Sequence, residues 1–379
     1  SGQAKVPKSQ YQEKGTFPII DQGQNYLAGY TNDTNALYSG KLPVIIFGDH
    51  TRVFKYFDHP FCLGADGSKV LLPKSSFIPK YLYYYFLNAK IPNLGYSRHS
   101  KVLREISVPR PLLSEQRRIV EILDQADVLR EKRTEADKNA EKILPVLFNK
   151  IFGEPSRNEK NWKKGTLKDA GASVRYGLGQ PPPVKEKGVR LIRATNIHNG
   201  CIFEEDMIYI DPEEVPKSRN AFLSAREVLV VRSGAYTGDV AQVTEEYEGS
   251  VAGYDLVVDP GENLIGEFLE SYLLTPQIQQ NYFTNNKSRA GQPHLNSTQL
   301  EDTPLFVPDF ELQRKYAGSV CIIRDLRKKR NECKIKIDNL FSVIINRAFS
   351  GDLTAKWRES HMKELLQEME EQAKELKIK

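Results

Sequence analysis

The feature that most constrains this chain of 379 residues is a long internal repeat. Segments 114–154 and 311–352 align at a shift of 197 positions, which places Gln116 on Gln313, Arg133 on Arg330 and Phe152 on Phe349. A Val-Pro dipeptide precedes each copy. Self-similarity on this scale marks a duplicated structural unit. We therefore predict one unit written twice.

Both copies carry apolar residues at a 3.5-residue period over about five heptads, which is typical of a coiled-coil seam. Each copy is predicted to form a helix of about 36 residues, roughly 54 Å long, and the two helices are predicted to pair. Pro145 is expected to kink or end the first of them. The predicted pairing residues are Ile119, Ile122, Ala126, Leu129, Ile143, Leu147, Ile323, Leu326, Ile337, Leu340 and Ile344.

The segments between the helices also correspond. Short β-branched runs bounded by Gly and Pro indicate strands, and the aromatic runs 80–88 and 267–274 indicate helices. We predict a mixed α/β fold with a pseudo-twofold internal repeat, in which a globular domain and a long helix alternate twice. The predicted boundaries are 1–110, 111–154, 155–308 and 309–354, followed by an amphipathic helical tail at 355–379. Residues 162–175 have no counterpart in the first unit, so the N-terminal edge of the first domain is expected to be truncated.

Composition and charge narrow the classes of protein. No run approaches the ~18 apolar residues of a membrane span. The four cysteines lie far apart without a CxxC motif, which favours neither a disulfide framework nor a zinc ribbon and indicates a cytoplasmic protein. Residues 1–113 carry 14 basic and 7 acidic side chains, whereas residues 151–310 carry 16 and 23. The basic first third is compatible with a polyanionic partner.

The sequence offers no clear catalytic or metal site. Gly177-x-Gly179 runs into three prolines that cannot open a phosphate-binding helix, and the six histidines lack metal-ligand spacing. Asp309, Glu332 and Lys334 match the PD…ExK skeleton of nucleases in form, but the first repeat has other residues at the equivalent positions. We expect no catalytic residue, no metal and no cofactor on this chain.

Polar loops at strand ends carry side chains suited to nucleic acid. Arg and Lys reach guanine edges and phosphates, and Asn and Gln match adenine. Which residues contact bases and which contact phosphates stays open at this stage. The candidates are His50, Thr51, Arg52, Lys55, Arg98, His99, Lys101, Arg190, Arg193, Asn196, His198, Arg232, Ser233, Tyr236, Arg289, Gln292, His294 and Asn296.

Two segments resemble conserved regions of a known family. PLLSEQRRI at 111–119 opens the first helix, and NRAFSGDLTAKWR at 346–358 closes the second. Both are similar to the specificity (S) subunits of type I restriction-modification systems, and the resemblance covers essentially the whole chain. It implies two target recognition domains, each reading one half of a bipartite duplex DNA target. It also implies that the helices form an antiparallel coiled coil that fixes the spacing between the half-sites.

The same resemblance implies that the chain has no catalytic activity. Two methyltransferase (M) subunits that bind S-adenosylmethionine and methylate adenine would dock on the helices and domains. Restriction (R) subunits would add ATP-driven translocation and cleavage, so S-adenosylmethionine, ATP and Mg are expected only on these partners. Two alternatives stay open: the recognition portion of a nuclease that uses Asp309, Glu332 and Lys334, and a coiled-coil assembly protein without DNA affinity. The target sequence and the gap cannot be derived from the residues.

Overall fold

The computed structural model describes residues 4–64, 67–93, 95, 99–286 and 294–375. The chain divides into two compact units. Unit 1 comprises Ser1–Glu135 and Glu332–Lys379, and unit 2 comprises Ala136–Asn331. Each unit therefore combines a globular segment with part of both long helices. Within the described ranges, no helix is long and apolar enough to cross a membrane.

The first 152 residues form small sheets followed by helices. The continuous apolar run of the third strand explains why that strand is buried along its whole length. The elements are β1 (Phe17–Ile20), β2 (Gly29–Thr31), β3 (Val44–Gly48), β4 (Phe54–Phe57), β5 (Cys62–Leu63), β6 (Ser68–Leu71), α1 (Pro79–Asn88), α2 (Ser100–Leu103), α3 (Leu113–Glu141) and α4 (Ile143–Phe152).

The rest of the chain repeats this order with additional strands. A π-helical segment, Gln277–Phe283, precedes the sixth helix. The elements are β7 (Lys163–Thr166), β8 (Ser173–Tyr176), β9 (Val184–Lys185), β10 (Val189–Ile192), β11 (Ile197–His198), β12 (Cys201–Ile202), β13 (Ile208–Ile210), β14 (Val228–Val230), β15 (Val240–Gln242), β16 (Val251–Ala252), β17 (Leu256–Asp259), α5 (Gly266–Leu273), α6 (Thr284–Asn286), α7 (Ser297–Glu301), β18 (Pro304–Val307), α8 (Phe310–Ser350), α9 (Ala355–Ser360) and α10 (Met362–Glu375).

The two units share one sheet topology. In unit 1, β1 pairs with antiparallel β2 and parallel β5, and β3 lies between antiparallel β4 and β6. In unit 2, β10 pairs with antiparallel β13 and parallel β16, and β14 lies between antiparallel β15 and β17. A matching hydrogen bond of 2.8 Å joins Gly64 to Ile20 and Gly253 to Ile192. The predicted α/β duplication is therefore present in the fold.

Each unit has a core that joins its globular segment to the helices. In unit 1, Ile119 and Leu123 of α3 and Phe341 of α8 are buried with Tyr81 of α1. In unit 2, Phe152 of α4 packs edge-on against Tyr316 of α8, with ring centroids 5.2 Å apart. Since burial of such side chains contributes about 1.5–3 kcal/mol each, the helices are part of each unit's core.

The proline in the first long helix acts as predicted. Helix α3 ends at Glu141 and α4 begins at Ile143, so Pro145 lies in the first turn of α4, where the missing N–H costs least. Helix α8, by contrast, is unbroken over 41 residues. It is therefore roughly 62 Å long.

The predicted contact between the helices consists of two rows of residues along each helix. One of these rows is displaced by one residue in both helices. The first row is buried or half-buried as predicted. The second row lies one position later than predicted, at Leu123, Arg130, Asp137 and Leu144 and at Val320, Arg327 and Phe341, although Lys334 in this row is exposed. Four predicted pairing residues instead lie exposed, and for them the prediction was wrong: Leu129 (63%), Ile143 (48%), Leu326 (59%) and Leu340 (58%). Ile122 is half-buried.

Charged partners explain why the seam takes this phase. In unit 1, Arg130 Nε lies 3.1 Å from Asp338 Oδ1, and its guanidinium lies 4.3 Å from the Phe341 ring centroid. In unit 2, Arg330 Nε lies 2.8 Å from Asp137 Oδ1. Because Asp137 meets Arg330 while the later Phe152 meets the earlier Tyr316, the helices run antiparallel in unit 2.

The segment after α8 returns to the start of α3 in unit 1. The buried Thr354 hydroxyl donates to Glu115 Oε1 at 2.6 Å, and Arg358 pairs with the same oxygen. The Ser114 N–H donates to Glu368 Oε1 at 3.1 Å. Carboxylates at the first turn satisfy helix N–H groups and favour the positive end of the helix dipole. The described part of the predicted amphipathic tail, 355–375, is thus largely helical and contacts the beginning of α3.

Candidate nucleic-acid interface

In unit 1 the candidates that follow β3 lie on a tight turn before β4. Gln22 holds this turn: its Oε1 is 3.0 Å from His50 Nδ1, and its carbonyl accepts from the Thr51 hydroxyl at 2.5 Å. Arg52 has a φ of 62° and donates from Nη1 to the Ile91 carbonyl at 3.2 Å. His50 is exposed, and Thr51 and Arg52 are partly exposed. The turn therefore presents a histidine, a hydroxyl and a guanidinium on a fixed backbone.

Two other candidates of unit 1 are buried, so the prediction that they contact DNA was wrong. Lys55 Nζ donates to the carbonyls of Asp21 at 2.9 Å and Asn25 at 2.6 Å. Burial lowers the pKa of Lys55, and the Asp21 carboxylate opposes this shift. His99 is fully buried, and its Nδ1–H donates to the Asp49 carbonyl at 2.7 Å. Both side chains satisfy loop carbonyls that burial would otherwise leave unpaired.

Helix α2 is tied to the same turn. The buried Asp49 accepts from the Ser100 N–H at 2.8 Å, which fixes the first residue of α2. The candidate Lys101 is exposed on this helix. Arg98 lies outside the described residues. The turn after β3 and the start of α2 thus form one supported surface in unit 1.

The basic residues along β10 of unit 2 are engaged by their own unit. Arg190 pairs with Glu204 at 3.2 Å, and its guanidinium lies 5.6 Å from the Tyr247 ring centroid. Arg193 Nη2 donates to the Asp206 carbonyl at 2.6 Å. These two arginines are thus paired with acidic and carbonyl groups of a unit that has an excess of acidic residues. The pairing reduces the positive charge that is available to a phosphate.

Two candidate asparagines have structural roles instead. Asn196 is fully buried; its Oδ1 accepts from the Arg193 N–H at 3.1 Å, and its Nδ2 donates to the Phe203 carbonyl at 3.2 Å. Asn296 caps α7, where it exchanges hydrogen bonds with Gln299. For the buried Asn196 the predicted DNA contact was wrong. Arg289 and Gln292 lie outside the described residues.

Arg232, two residues after the end of β14, is held between two aromatic rings. Its guanidinium carbon lies 4.6 Å from the Tyr176 ring centroid and 4.5 Å from the Tyr254 ring centroid. Nε and Nη2 both face His294 Nε2, at 3.3 and 3.2 Å. The backbone N–H donates to Asp255 Oδ1 at 3.1 Å. These contacts fix the plane of the guanidinium, as an arginine between aromatic faces allows.

A second group of side chains lies further along the same loop. The Tyr236 ring is 45% exposed and meets the His198 ring edge-on at 4.3 Å. His198 Nδ1 lies 3.1 Å from Asp239 Oδ2, and its Nε2 lies 3.0 Å from the Thr195 carbonyl. Ser233 forms an isolated bridge with His294. The β14–β15 loop therefore brings together Arg232, Ser233, Tyr236, His198 and His294.

Burial sets the protonation states around Arg232. It raises the pKa of the Asp255 carboxyl to about 6, although the Arg232 N–H and charge oppose the shift. Burial, followed by the Arg232 charge, lowers the pKa of His294. The lowered pKa favours the neutral form of His294, whose Nε2 can accept from Arg232. Hydrogen bonds from Ser297 lower the pKa of Tyr176.

The residues that support these loops, Tyr176, Tyr254 and Gln22, were not predicted from the sequence. Tyr176 and Tyr254 each neighbour a glycine, Gly177 and Gly253, that approaches other backbone too closely to carry a Cβ. The adjacent tyrosine and glycine are visible in the sequence as a dipeptide. The arginine that the tyrosine contacts is far away in the chain, so the sequence does not reveal the pair. Gln22 in unit 1 likewise gives no signal without the turn that it holds.

The structure also bears on the nuclease alternative. Asp309 directly precedes α8, whereas Glu332 and Lys334 are exposed well along that helix. At 1.5 Å per residue, Asp309 and Glu332 lie about 34 Å apart along the axis, far beyond the reach of one metal ion. Across the residues that the structure describes, no group of three His, Cys, Asp or Glu side chains could hold a metal ion.

Comparison with known proteins finds one family to which this chain is similar. A family model described as "Type I restriction modification DNA specificity domain" matches residues 1–141. The chain is 22% identical to the EcoBI type I restriction enzyme specificity subunit of Escherichia coli over 375 residues, covering 86% of this chain and 78% of the relative. It is 25% identical to the EcoR124I/EcoR124II specificity subunit of Escherichia coli, covering 70% and 69%.

The fold agrees with that family. The crystal structure of the type I restriction-modification S subunit from M. genitalium matches with a TM-score of 0.53 at 13% identity, covering 91% of this chain and 92% of that one. Along most of its length the chain is similar to type I specificity subunits. In this chain, the described candidates that keep solvent exposure and lie on the two turns or their supports are His50, Thr51, Arg52, Lys101, His198, Arg232, Ser233, Tyr236 and His294.

Proposed function

We propose that this specificity subunit selects DNA by sequence, with each unit contacting one half of a bipartite duplex target. The observation that carries the proposal is the repeated turn: β3–β4 in unit 1 and β14–β15 in unit 2 occupy the same place in the shared topology. Each turn presents polar side chains on a supported backbone. Direct readout of base edges requires donors and acceptors held in this way.

The two turns carry different chemistry, which favours an asymmetric target. In unit 1 the turn offers His50, Thr51 and Arg52, while in unit 2 it offers Arg232 and Tyr236. A guanidinium with a fixed plane suits the two acceptors of guanine or a phosphate. When two DNA-contacting units belong to one chain, their two weak contacts combine into one strong interaction. This interaction depends on the spacing of the two half-sites. The paired helices are proposed to fix the spacing between the half-sites.

The exposed sides of the long helices are proposed to dock the methyltransferase subunits. Three pairs of exposed aliphatic residues are related by the 197-residue shift: Leu129 with Leu326, Ile143 with Leu340, and Val146 with Val343. Exposed apolar stripes on soluble helices mark interaction surfaces. Two equivalent stripes fit two copies of one partner. Restriction subunits are proposed to join this complex.

The proposed chemistry lies on the partners. We propose that this subunit carries no catalytic activity and no cofactor of its own, and that S-adenosylmethionine, ATP and Mg bind the methyltransferase and restriction subunits. Its proposed location is the cytoplasm, where it would meet bacterial DNA.

Gel shifts with the full chain test the proposal. A duplex with both half-sites, obtained by selection from a random library, should bind, and extra base pairs between the halves should abolish binding. Arg232→Ala should weaken binding by about 5- to 150-fold, the value of one good base contact. Arg219→Ala, an exposed arginine of the same unit, should stay within about twofold because it lies off the proposed turns. Equal binding to random duplexes would contradict the proposal.

A further inference from the structure

A buried glutamine stands at the start of each long helix. Gln116 lies in the first turn of α3 and Gln313 in the first turn of α8, and both are fully buried. The 197-residue shift relates them. A buried amide needs partners for its oxygen and for both of its N–H groups, so its surroundings report what it holds together.

In unit 1 the amide makes three hydrogen bonds to the backbone. Gln116 Oε1 accepts from the Ile78 N–H at 2.8 Å. Its Nε2 donates to the Ser76 carbonyl at 3.0 Å and to the Pro111 carbonyl at 2.9 Å. Ile78 is the N-cap of α1 and has no side-chain cap of its own. The amide thus joins the start of α1 to the start of α3.

Unit 2 repeats this bridge atom for atom. Gln313 Oε1 accepts from the Ile265 N–H at 3.0 Å, where Ile265 is the N-cap of α5. Its Nε2 donates to the Asn263 carbonyl at 3.1 Å and to the Pro308 carbonyl at 3.0 Å. In both units the acceptors lie two residues before the N-cap and five residues before the glutamine. We call these two contacts the glutamine bridges.

Neighbouring contacts differ between the units, whereas the bridges do not. In unit 1 the Tyr84 hydroxyl of α1 donates to Asp124 of α3 at 2.6 Å. In unit 2 the buried Glu270 of α5 pairs with Arg324 of α8 at 2.5 Å. The side chains between the short and long helices have thus changed chemistry since the duplication. The same amide geometry has been kept beside two different recognition surfaces.

The bridges connect the long helices to the short helices that pack against the strands flanking the recognition turns. Helix α1 packs on β3 and β4, which flank the turn in unit 1, and α5 packs on β14 and β15, which flank the turn in unit 2. We propose that Gln116 and Gln313 are positioning residues for DNA recognition. They hold each turn at a fixed angle to the long helices and thereby set the gap between half-sites, an inference that rests on the proposed function.

The dimensions of duplex DNA explain why the angle between each turn and the long helices determines which gap is bound. One base pair changes the separation of two half-sites by about 3.4 Å and their relative rotation by roughly 35°. A unit able to rock against its helix would follow a gap that is one base pair too long or too short. A unit held by its bridge would not.

The test replaces each glutamine by a side chain of similar length that cannot hydrogen-bond, Gln116→Met and Gln313→Met. Matched controls are Leu123→Ala and Val320→Ala, a fully buried pair also related by the 197-residue shift, which removes core volume and leaves the bridges intact. Each variant is measured in the full chain against duplexes with the native gap, with one base pair more and with one fewer. Single half-site duplexes are measured in parallel.

The glutamine variants should lose discrimination between gaps. The ratio of affinities for the native gap and for a gap wrong by one base pair should fall at least about fivefold, while single half-site affinity changes less than about twofold. The alanine controls should lower Tm and keep the wild-type ratio. A wild-type ratio in both methionine variants would overturn the positioning role, as would an equal loss of single half-site and bipartite binding.

A distance measurement separates this inference from the proposed function. Spin labels at Leu72 and Glu131 span unit 1, and labels at Lys185 and Lys328 span unit 2, in a background where Cys201, Cys321 and Cys333 are serine. The distance distribution should broaden in the methionine variants and stay narrow in the alanine controls. If the wild-type chain bound no bipartite DNA, the proposed function would fail, and unchanged widths would overturn the positioning role on their own.

Discussion

At the scale of single residues, the sequence located the recognition loops better than it identified the side chains available to DNA. Lys55 and His99 have the residue types of DNA contacts, yet both satisfy buried loop carbonyls. Their partners lie 34 and 50 positions away along the chain, so no local pattern could reveal them. The same holds for Arg232, whose two tyrosines are visible only in the fold.

Lys55 and Lys101 provide a direct contrast. Lys55→Ala should lower the stability of unit 1 by about 1–3 kcal/mol, because the carbonyls of Asp21 and Asn25 lose their donor. Lys101→Ala should leave stability unchanged, since this side chain is exposed, and should weaken binding to the first half-site. Urea unfolding and gel shifts measure the two effects. Weaker DNA binding by Lys55→Ala at full folding would contradict its buried role.

Asp255 should make the stability of unit 2 depend on pH. Its folded pKa of about 6 lies above the unfolded value of 3.8, so the folded state holds the proton more tightly. This contribution is complete below pH 3.8 and is lost as the pH rises through 6. Asp255→Asn keeps an acceptor for the Arg232 N–H and removes the titration. Relative to wild type, the variant should gain about 2–3 kcal/mol between pH 4 and pH 7.5.

Unfolding of both proteins by urea at these two pH values measures the gain. Asp259→Asn serves as the control, because Asp259 ends β17, which begins directly after Asp255, and is partly exposed. A stability difference between Asp255→Asn and wild type that does not change with pH would contradict the assignment.

At the scale of elements, the helices were predictable and their contact phase was not. The period of 3.5 residues is compatible with two adjacent rows of residues along each helix. Choosing the row with fewer charged residues selects Leu129, Ile143, Leu326 and Leu340. The actual row contains Arg130 and Asp137, whose charges are paired across the helices. Ion pairs within a seam specify register and orientation, which apolar periodicity alone cannot do.

Substitution on the two rows distinguishes the two phases. Leu129→Gln and Leu326→Gln should change the free energy of unfolding by less than about 0.5 kcal/mol, as expected for exposed positions. Leu123→Ala should cost about 2–5 kcal/mol, because it leaves a cavity in the core of unit 1. Thermal and urea unfolding provide the values. Strong destabilisation by Leu129→Gln would restore the phase derived from the sequence.

At the scale of the whole molecule, the duplication was predictable from the sequence. The 197-residue shift predicted the order of domain, helix, domain and helix, and the repeated strand topology agrees with it. Net charge was less informative, because arginines such as Arg190 and Arg193 are engaged within their own unit. The bases that each turn reads depend on loop shape, which residue identity does not determine.

The duplication should also be visible in assembly. Leu129→Ser or Leu326→Ser alone should leave one methyltransferase subunit bound, and the double variant none, because each exposed stripe is proposed to dock one copy. Lys132→Ser and Lys329→Ser are matched controls at exposed positions related by the same shift and should retain two copies. Mass photometry of the complexes reports the stoichiometry. Two bound copies in the double variant would exclude these stripes as the docking sites.

The duplicated chain is proposed to read two different half-sites at a fixed separation. Mapping of methylated adenines in DNA modified by this subunit with its methyltransferase tests it most directly. The account predicts a single asymmetric motif with one modified adenine in each half and one constant gap. Modification at isolated half-sites, or at paired half-sites with variable gaps, would contradict it.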